Sequence, residues 1–231
     1  MTNEVILPRH VGFIIDGNRR WAKKHGLPAY EGHLAGYDAL KDVVVNTANA
    51  GVKFISLYTF STENWNRAKE EVSNLMGLMM RLFKTDIHLL LENDLRLVVL
   101  GSRDRLPKKM CDAIDSVEAQ TAHCQKSTIA VCFNYGGQQE VVAAIKCIIE
   151  QKIDPADITP ELITKNLYHP EVPEVDLIVR TSGEKRLSNF MLWRSPYSEL
   201  LFMDKFWPDM KKDDVTDILD KYSKRHRRFG G

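Results

Sequence analysis

The chain reads as a single α/β domain, a central and mostly parallel six-stranded sheet flanked by helices. Two observations carry that reading. Short runs rich in β-branched and aromatic residues alternate along the chain with longer stretches of helical periodicity, and such alternation closes most simply as parallel strands covered by helices on both faces. No repeat, low-complexity tract or Pro/Gly/Ser-rich linker interrupts the alternation across residues 1–231, so one domain spans them.

Taken in order, strands are predicted at His10–Ile15, Phe54–Phe60, Leu95–Gly101, Thr128–Phe133, Val175–Arg180 and Leu200–Met203. Each is a short apolar run of strand length. Helices are predicted at Tyr37–Ala50, Lys69–Glu92, Lys108–His123, Gln138–Gln151, Pro160–Tyr168 and Asp213–Lys224. Gly51 supplies a stop for the first, and Thr159-Pro160 gives the fifth an N-cap followed by proline at its first position.

Composition narrows the function. Residues are 44% hydrophobic and 27% charged, an ordinary globular balance. Thirty-two basic residues offset 31 acidic ones to a formal charge of +1, which argues against a general nucleic-acid binder. Anion recognition must then be local. The cysteines, Cys111, Cys124, Cys132 and Cys147, form no C-x-x-C pair and read as reduced thiols. Met1 to Arg9 carries no long apolar run, and no apolar run is long enough to cross a bilayer. A soluble cytoplasmic protein is expected.

In open α/β sheets ligands sit at the carboxyl ends of the strands, and three chemically dense segments fall there. The first is Asp16-Gly17-Asn18-Arg19-Arg20-Trp21, directly after Ile14-Ile15. Gly17 allows close backbone approach, the following amides suit a diphosphate, and Asp16 suits magnesium, a hard cation that takes one or two carboxylates plus substrate phosphates. An ordinary Asp-Gly turn with solvated arginines is the alternative. The second, Ser61-Thr62-Glu63-Asn64-Trp65-Asn66-Arg67, combines hydroxyls, a carboxylate, amides, an indole and a guanidinium; Ser61 or Thr62 also suits a helix cap. The third runs from Asp176 to Phe190, where Arg180 closes a strand and Arg186 and Ser188 follow across a glycine loop. Two arginines and a hydroxyl suit a bidentate grip on a diphosphate. Surface ion pairs such as Arg186 with Glu184 are the plainer reading.

Together these segments, with His10 to Ala22, Phe60 to Arg67 and Trp193 to Asp209, closely resemble the undecaprenyl diphosphate synthase family of cis-prenyltransferases in order and spacing. The resemblance implies a homodimer that condenses isopentenyl diphosphate onto farnesyl or a related allylic diphosphate with Mg²⁺, forming Z double bonds. It implies undecaprenyl diphosphate for cell-wall carrier lipid as the default product, and a lipid product that contacts the membrane surface. By resemblance, Asp16 is the essential aspartate that works with magnesium. Gly17, Asn18, Arg19 and Arg20 form the phosphate segment, with Trp21 and His33 beside it. Ser61, Thr62 and Glu63 line the site, Asn64 is the proton acceptor, and Trp65 and Arg67 complete the run. Arg180, Arg186, Leu187 and Ser188 form the isopentenyl diphosphate pocket, and Glu199 is a second acid linked to magnesium. Arg228-Phe229-Gly230 resembles a tail motif that completes a neighbouring subunit's site. A primary amide is a poor base, so Asn64 as proton relay and the released diphosphate as acceptor both stay open.

Four positions depart from the family pattern. Ala29 stands where many members carry an arginine, and Arg19 where many carry a small residue. Lys185 stands where histidine is common. Tyr37 replaces a small residue of long-chain producers, so an aromatic ring filling the hydrocarbon tunnel would shorten the product; a surface-facing tyrosine is the alternative. Two other functions compete. A non-catalytic subunit of a heteromeric prenyltransferase would be expected to lose the aspartate and arginine set retained here, and a nucleotide-binding enzyme would need G-x-x-x-x-G-K-[ST] or G-x-G-x-x-G, both missing.

Overall fold

The computed structural model describes residues 6–225. Its strands are β1 (His10–Ile14), β2 (Phe54–Ser61), β3 (Leu95–Leu100), β4 (Ser127–Tyr135), β5 (Leu177–Arg180) and β6 (Glu199–Phe202). They form one sheet in the order β3-β4-β2-β1-β5-β6, with every neighbouring pair parallel. All six predicted strands are present. The helices are α1 (Asn18–Lys24), α2 (Ala29–Asn49), α3 (Lys69–Lys84), α4 (Ile87–Glu92), α5 (Lys108–Thr121), α6 (Gly137–Glu150), α7 (Pro160–Lys165) and α8 (Lys212–Ser223).

The two sheet faces divide the core by strict alternation. Val11 and Phe13, Leu97 and Val99, Ile129 and Val131, and Leu177 and Val179 join the cluster that includes side chains of α2, α3, α5 and α8. Ile14, Val98, Ala130, Cys132 and Ile178 point the other way, where Phe190 and Met191 pack. Strands buried on both faces explain the near-continuous apolar runs that made them legible.

Helix boundaries depart from the sequence reading at two places. The first predicted helix begins eight residues earlier, at Ala29, directly after Pro28, and a short helix α1 precedes it. These two helices pack closely because Gly36 carries no Cβ where the side-chain amide of Asn18 sits, while the Gly36 carbonyl accepts the indole of buried Trp207 at 2.8 Å. The long helix predicted over 69–92 is broken between Lys84 and Ile87. Thr85 and Asp86 are poor interior helix formers, and Asp86 is buried where it accepts the Tyr37 hydroxyl at 2.8 Å. Apolar periodicity continues across the break, which hid it. The sequence-stop and cap readings hold: Gly51 has φ +102°, and Thr159 Oγ1 accepts the Leu162 amide at 3.2 Å. No helix among the described residues is long and apolar enough to cross a membrane.

Candidate active site

The carboxyl ends of β1, β2 and β5 open onto a cavity of about 810 Å³ between α2 and α3. That lies within the range of about 300–1,000 Å³ usual for pockets that enclose a small ligand. Its mouth is polar and its depth apolar, the latter formed by Leu40, Leu75, Leu78, Met79 and Tyr37.

At the mouth, Asp16 follows β1 and Arg180 ends β5, and Arg180 donates to Asp16 Oδ2 at 2.9 Å. The Gly17 amide donates to Asp16 Oδ1 at 2.7 Å, and Arg20 lies 3.4 Å from Oδ2. Burial by itself would raise the Asp16 pKa, but the guanidinium of Arg180, then that of Arg20 and the Gly17 amide, outweigh it and hold the carboxyl below its ordinary value. Thr181 fixes the backbone of the same residue: its hydroxyl donates to the Asp16 carbonyl at 2.6 Å and accepts the Asp16 amide at 3.1 Å. Gly17 takes φ +109° with Phe206 and Ser182 against it, so the turn admits only glycine.

Arg180 also donates to the carbonyl of Arg186 and to Ser188 Oγ, the latter at 2.8 Å. The third segment thus wraps around one buried guanidinium. Glu184 bridges Arg20, at 3.1 Å, and Arg186, so the plainer surface pair is present and stands at the rim of the same cavity. Leu187 packs into the second core cluster instead of lining the cavity.

On the opposite wall, Arg67 and His33 meet at Glu71, 2.9 and 3.2 Å from its Oε1, and Arg19 lies 3.8 Å from its Oε2. Burial lowers the His33 pKa, against the pull of Glu71, which leaves the imidazole neutral at neutral pH. Between the walls runs a short 3-10 helix, Thr62–Asn66. Asn64 Oδ1 accepts the Ser61 amide at 3.0 Å, so the cap and the site share this run. Glu63 receives Asn189 Nδ2 at 3.1 Å.

The structure therefore brings Asp16, Gly17, Asn18, Arg19, Arg20, His33, Ser61, Glu63, Asn64, Arg67, Arg180, Arg186 and Ser188 to one cavity. Four predicted residues stand behind it. Trp21 donates to Asp209 Oδ1 at 2.7 Å, and Trp65 donates to Asn134 Oδ1 at 2.8 Å beneath the Arg105 guanidinium, 4.6 Å from the ring. Both indoles pin the site loops to the scaffold. Thr62 Oγ1 and Leu187 are turned inward as well. Glu199 departs most. It opens β6, paired in register with Leu177, whereas Arg180 pairs with Phe202. Three residues of strand, about 10 Å, separate its level from that of Arg180, and its carboxylate pairs with Arg225 at 2.6 Å. Within one chain it shares no site with Asp16. The tail motif Arg228-Phe229-Gly230 lies outside the described residues.

Among the described residues no group of three or more His, Cys, Asp or Glu side chains converges as a preformed metal site. Asp16 offers a single carboxylate at the cavity mouth, between guanidinium groups. That donor set fits a hard dication carried in by a diphosphate and completed by its oxygens, as Mg²⁺ commonly is, and fits a protein-only cage poorly.

Sequence reasoning overlooked Tyr58 and Thr59, which line the cavity, and Glu71, which holds its lining in place; Asn189 and Thr181 fell within the third segment without a role of their own. The four-residue step from Arg67 to Glu71 was the available signal for one of them.

An apolar channel with guanidinium groups at its mouth suits a hydrocarbon bearing a diphosphate, and this is the class of site a prenyltransferase presents. The family model described as "Putative undecaprenyl diphosphate synthase" matches residues 14–230. The chain is 44% identical to an isoprenyl transferase of Thermotoga maritima, over 97% of both chains. It is 42% identical to that of Streptococcus thermophilus, over 97% of this chain and 94% of the relative. Among solved structures, lavandulyl diphosphate synthase from Lavandula x intermedia in complex with dimethylallyl diphosphate superposes with a TM-score of 0.91 at 33% identity, over 97% of this chain and 99% of that one. A probable undecaprenyl diphosphate synthase from Campylobacter jejuni gives 0.82 at 30%, with the same coverage. The chain belongs to the undecaprenyl diphosphate synthase family of prenyltransferases.

The depressed Asp16 pKa has a defined sign. Its ion pair with Arg180 contributes stability that is fully present above the ordinary carboxylate value of about 3.9 and is lost as pH falls through the lower folded value. Wild type and Asp16→Asn should differ in urea midpoint by a constant amount above about pH 5, with the gap closing below about pH 4. A gap independent of pH down to pH 2 would contradict the pairing.

Proposed function

We propose that the protein condenses isopentenyl diphosphate with an allylic diphosphate, in the presence of Mg²⁺, to give a Z-prenyl diphosphate of limited length. The observation that carries this reading is the pairing of two separate cationic groups with one apolar channel: Arg180, Arg186 and Ser188 on the β5 side, and Arg19, His33 and Arg67 on the α2–α3 side. Two diphosphates need two such groups. The one beside the apolar wall takes the allylic substrate, whose longer hydrocarbon lies along Leu75, Leu78 and Met79; the other takes isopentenyl diphosphate.

Ionisation of the allylic substrate builds negative charge on its diphosphate, so pre-placed guanidinium groups and the amides that follow Gly17 lower the barrier. Asp16 would hold Mg²⁺ together with that diphosphate, and the bound ion would supply further charge neutralisation. Arg180 orients Asp16 while gripping the isopentenyl side, which sets the two reacting carbons against each other. Asn64 has its Oδ1 committed to the Ser61 amide, so only its Nδ2 is free to turn toward substrate. It acts as an orienting donor, and the released diphosphate takes the proton. Arg19 stands in for the guanidinium that Ala29 lacks.

Tyr37 limits the product. Its ring is buried and lines the cavity, its hydroxyl donates to Asp86, and Lys41 and Arg81 lie over it at 5.1 and 5.4 Å. A growing chain that reaches this floor meets an aromatic ring backed by charge. The family description and the probable undecaprenyl diphosphate synthase of Campylobacter jejuni favour a second reading, a full undecaprenyl product. An apolar stripe on α6 (Val142, Ile145 and Ile149), with Leu192 and Tyr197 nearby in sequence to the buried Met191, remains exposed; it supports pairing of two copies.

With farnesyl diphosphate, radiolabelled isopentenyl diphosphate and Mg²⁺, the purified protein should incorporate label, and Asp16→Ala should lose at least about 100-fold of the rate. Absence of EDTA-sensitive incorporation by wild type would leave a non-catalytic role. Mass spectrometry of the products should show Tyr37→Ala adding one or more isoprene units, and Tyr37→Phe, which keeps the ring but loses its bond to Asp86, a smaller change; an unchanged length in Tyr37→Ala removes the floor. Sedimentation should give a dimer that Ile145→Asp with Ile149→Asp converts to monomer, and a monomeric wild type would refute the pairing.

A further inference from the structure

Glu71 belongs to none of the segments that sequence reading singled out, yet three cavity groups converge on it. Arg67 comes from the loop before α3, His33 from α2 and Arg19 from α1, so one carboxylate is the point where three elements meet. Its side chain is 15% exposed, against 34% for Arg67 and 62% for Arg19. It lies in the first turn of α3, where the free amides of the helix end favour a carboxylate. Further along, the same helix presents Leu75, Leu78 and Met79 to the cavity.

Glu184 also bridges two guanidinium groups, Arg20 and Arg186. It sits, however, in a loop whose Ser182 and Gly183 both have positive φ, and a loop side chain can swing aside for an incoming anion. A carboxylate on a regular helix, enclosed by three partners, has no such freedom.

We propose that Glu71 is a positioning residue of the allylic diphosphate site, holding Arg19, His33 and Arg67 in the arrangement that receives the diphosphate beside the hydrocarbon wall. The proposal rests on the reading given under Proposed function. Two effects of opposite sign act here. Long arginine side chains lose rotamer freedom when they clamp a ligand, and a fixed counter-ion removes that loss in advance. The same carboxylate repels the diphosphate. Arg19 and Arg67 outnumber the one carboxylate, so the cluster still attracts a diphosphate with Glu71 in place.

The test measures binding of an unreactive farnesyl thiodiphosphate and of isopentenyl diphosphate to the full chain by titration calorimetry. Glu71→Asp keeps the charge but withdraws it by one carbon; it should weaken the farnesyl analogue about 10-fold and leave isopentenyl diphosphate within about 2-fold. Glu71→Gln keeps the reach and an acceptor oxygen for Arg67 and His33, and should stay within about 3-fold of wild type for both ligands. Tighter or unchanged farnesyl binding in Glu71→Asp, a Glu71→Gln that binds more tightly than wild type, or equal losses of both ligands would each overturn the positioning role. If wild type binds neither ligand, the prenyl-transfer reading fails with it; if wild type binds both and only the variant pattern is wrong, the positioning role alone is lost.

Discussion

The bond between Arg180 and Asp16 is the constraint on which the cleft depends. Arg180 is almost completely buried at the end of β5, and a buried guanidinium without a counter-charge would cost several kcal/mol. Asp16 supplies the charge from the end of the neighbouring strand β1. Once the two are joined, much of the surrounding geometry follows. The Arg186 carbonyl and Ser188 hydroxyl fold onto the remaining Arg180 donor, Thr181 locks the Asp16 backbone, and Gly17 turns the chain into α1. The parallel sheet matters functionally because it sets these two strand ends side by side. Two buried polar atoms of this region, Arg180 Nε and Asn18 Oδ1, have no protein partner. Both residues belong to the cavity lining, though Asn18 Oδ1 itself lies against Gly36 where α1 meets α2.

What could be read from the residues, and what could not, divides along physical lines. The strands were legible because burial on both faces leaves unbroken apolar runs, as in Val11 to Ile14 or Ile129 to Phe133. The three site segments were legible because chemistry-bearing side chains crowd just past those runs. Glu71 was not, because a carboxylate at the start of a helix, four residues after an arginine, looks like any solvated pair; only tertiary packing adds His33 and Arg19 to it. Asp86 escaped notice for a related reason, since apolar spacing over 69–92 continues through the break it makes. Trp21 and Trp65 show the converse. Both lie in dense site segments, yet their indoles bond Asp209 and Asn134 and face the scaffold. Glu199 illustrates a limit of motif spacing, which cannot say at which end of a strand a residue falls.

The cavity separates its tasks by wall. Charged groups are confined to the strand ends and the rim, while α2 and α3 carry the apolar depth. Relatives match this chain over nearly its whole length, and the superposed structures cover 97% of it, so the frame is common property. Two residues at which the resemblance implies a departure fall on both walls. Arg19 stands at the charged rim, and Tyr37 in the depth.

The interruption between α3 and α4 gives the depth a particular character. Asp86 lies at that junction and grips the Tyr37 hydroxyl, so the position of the ring is dictated by where one helix stops and the next begins. On the proposed reading of Tyr37 as the floor, a ring anchored in this way is set from outside the cavity. On that reading, substitutions at the joint near Thr85 would retune the depth of the cavity while leaving Asp16, Arg180 and Arg186 in place, a route by which the size of the hydrocarbon could change apart from the chemistry at the mouth.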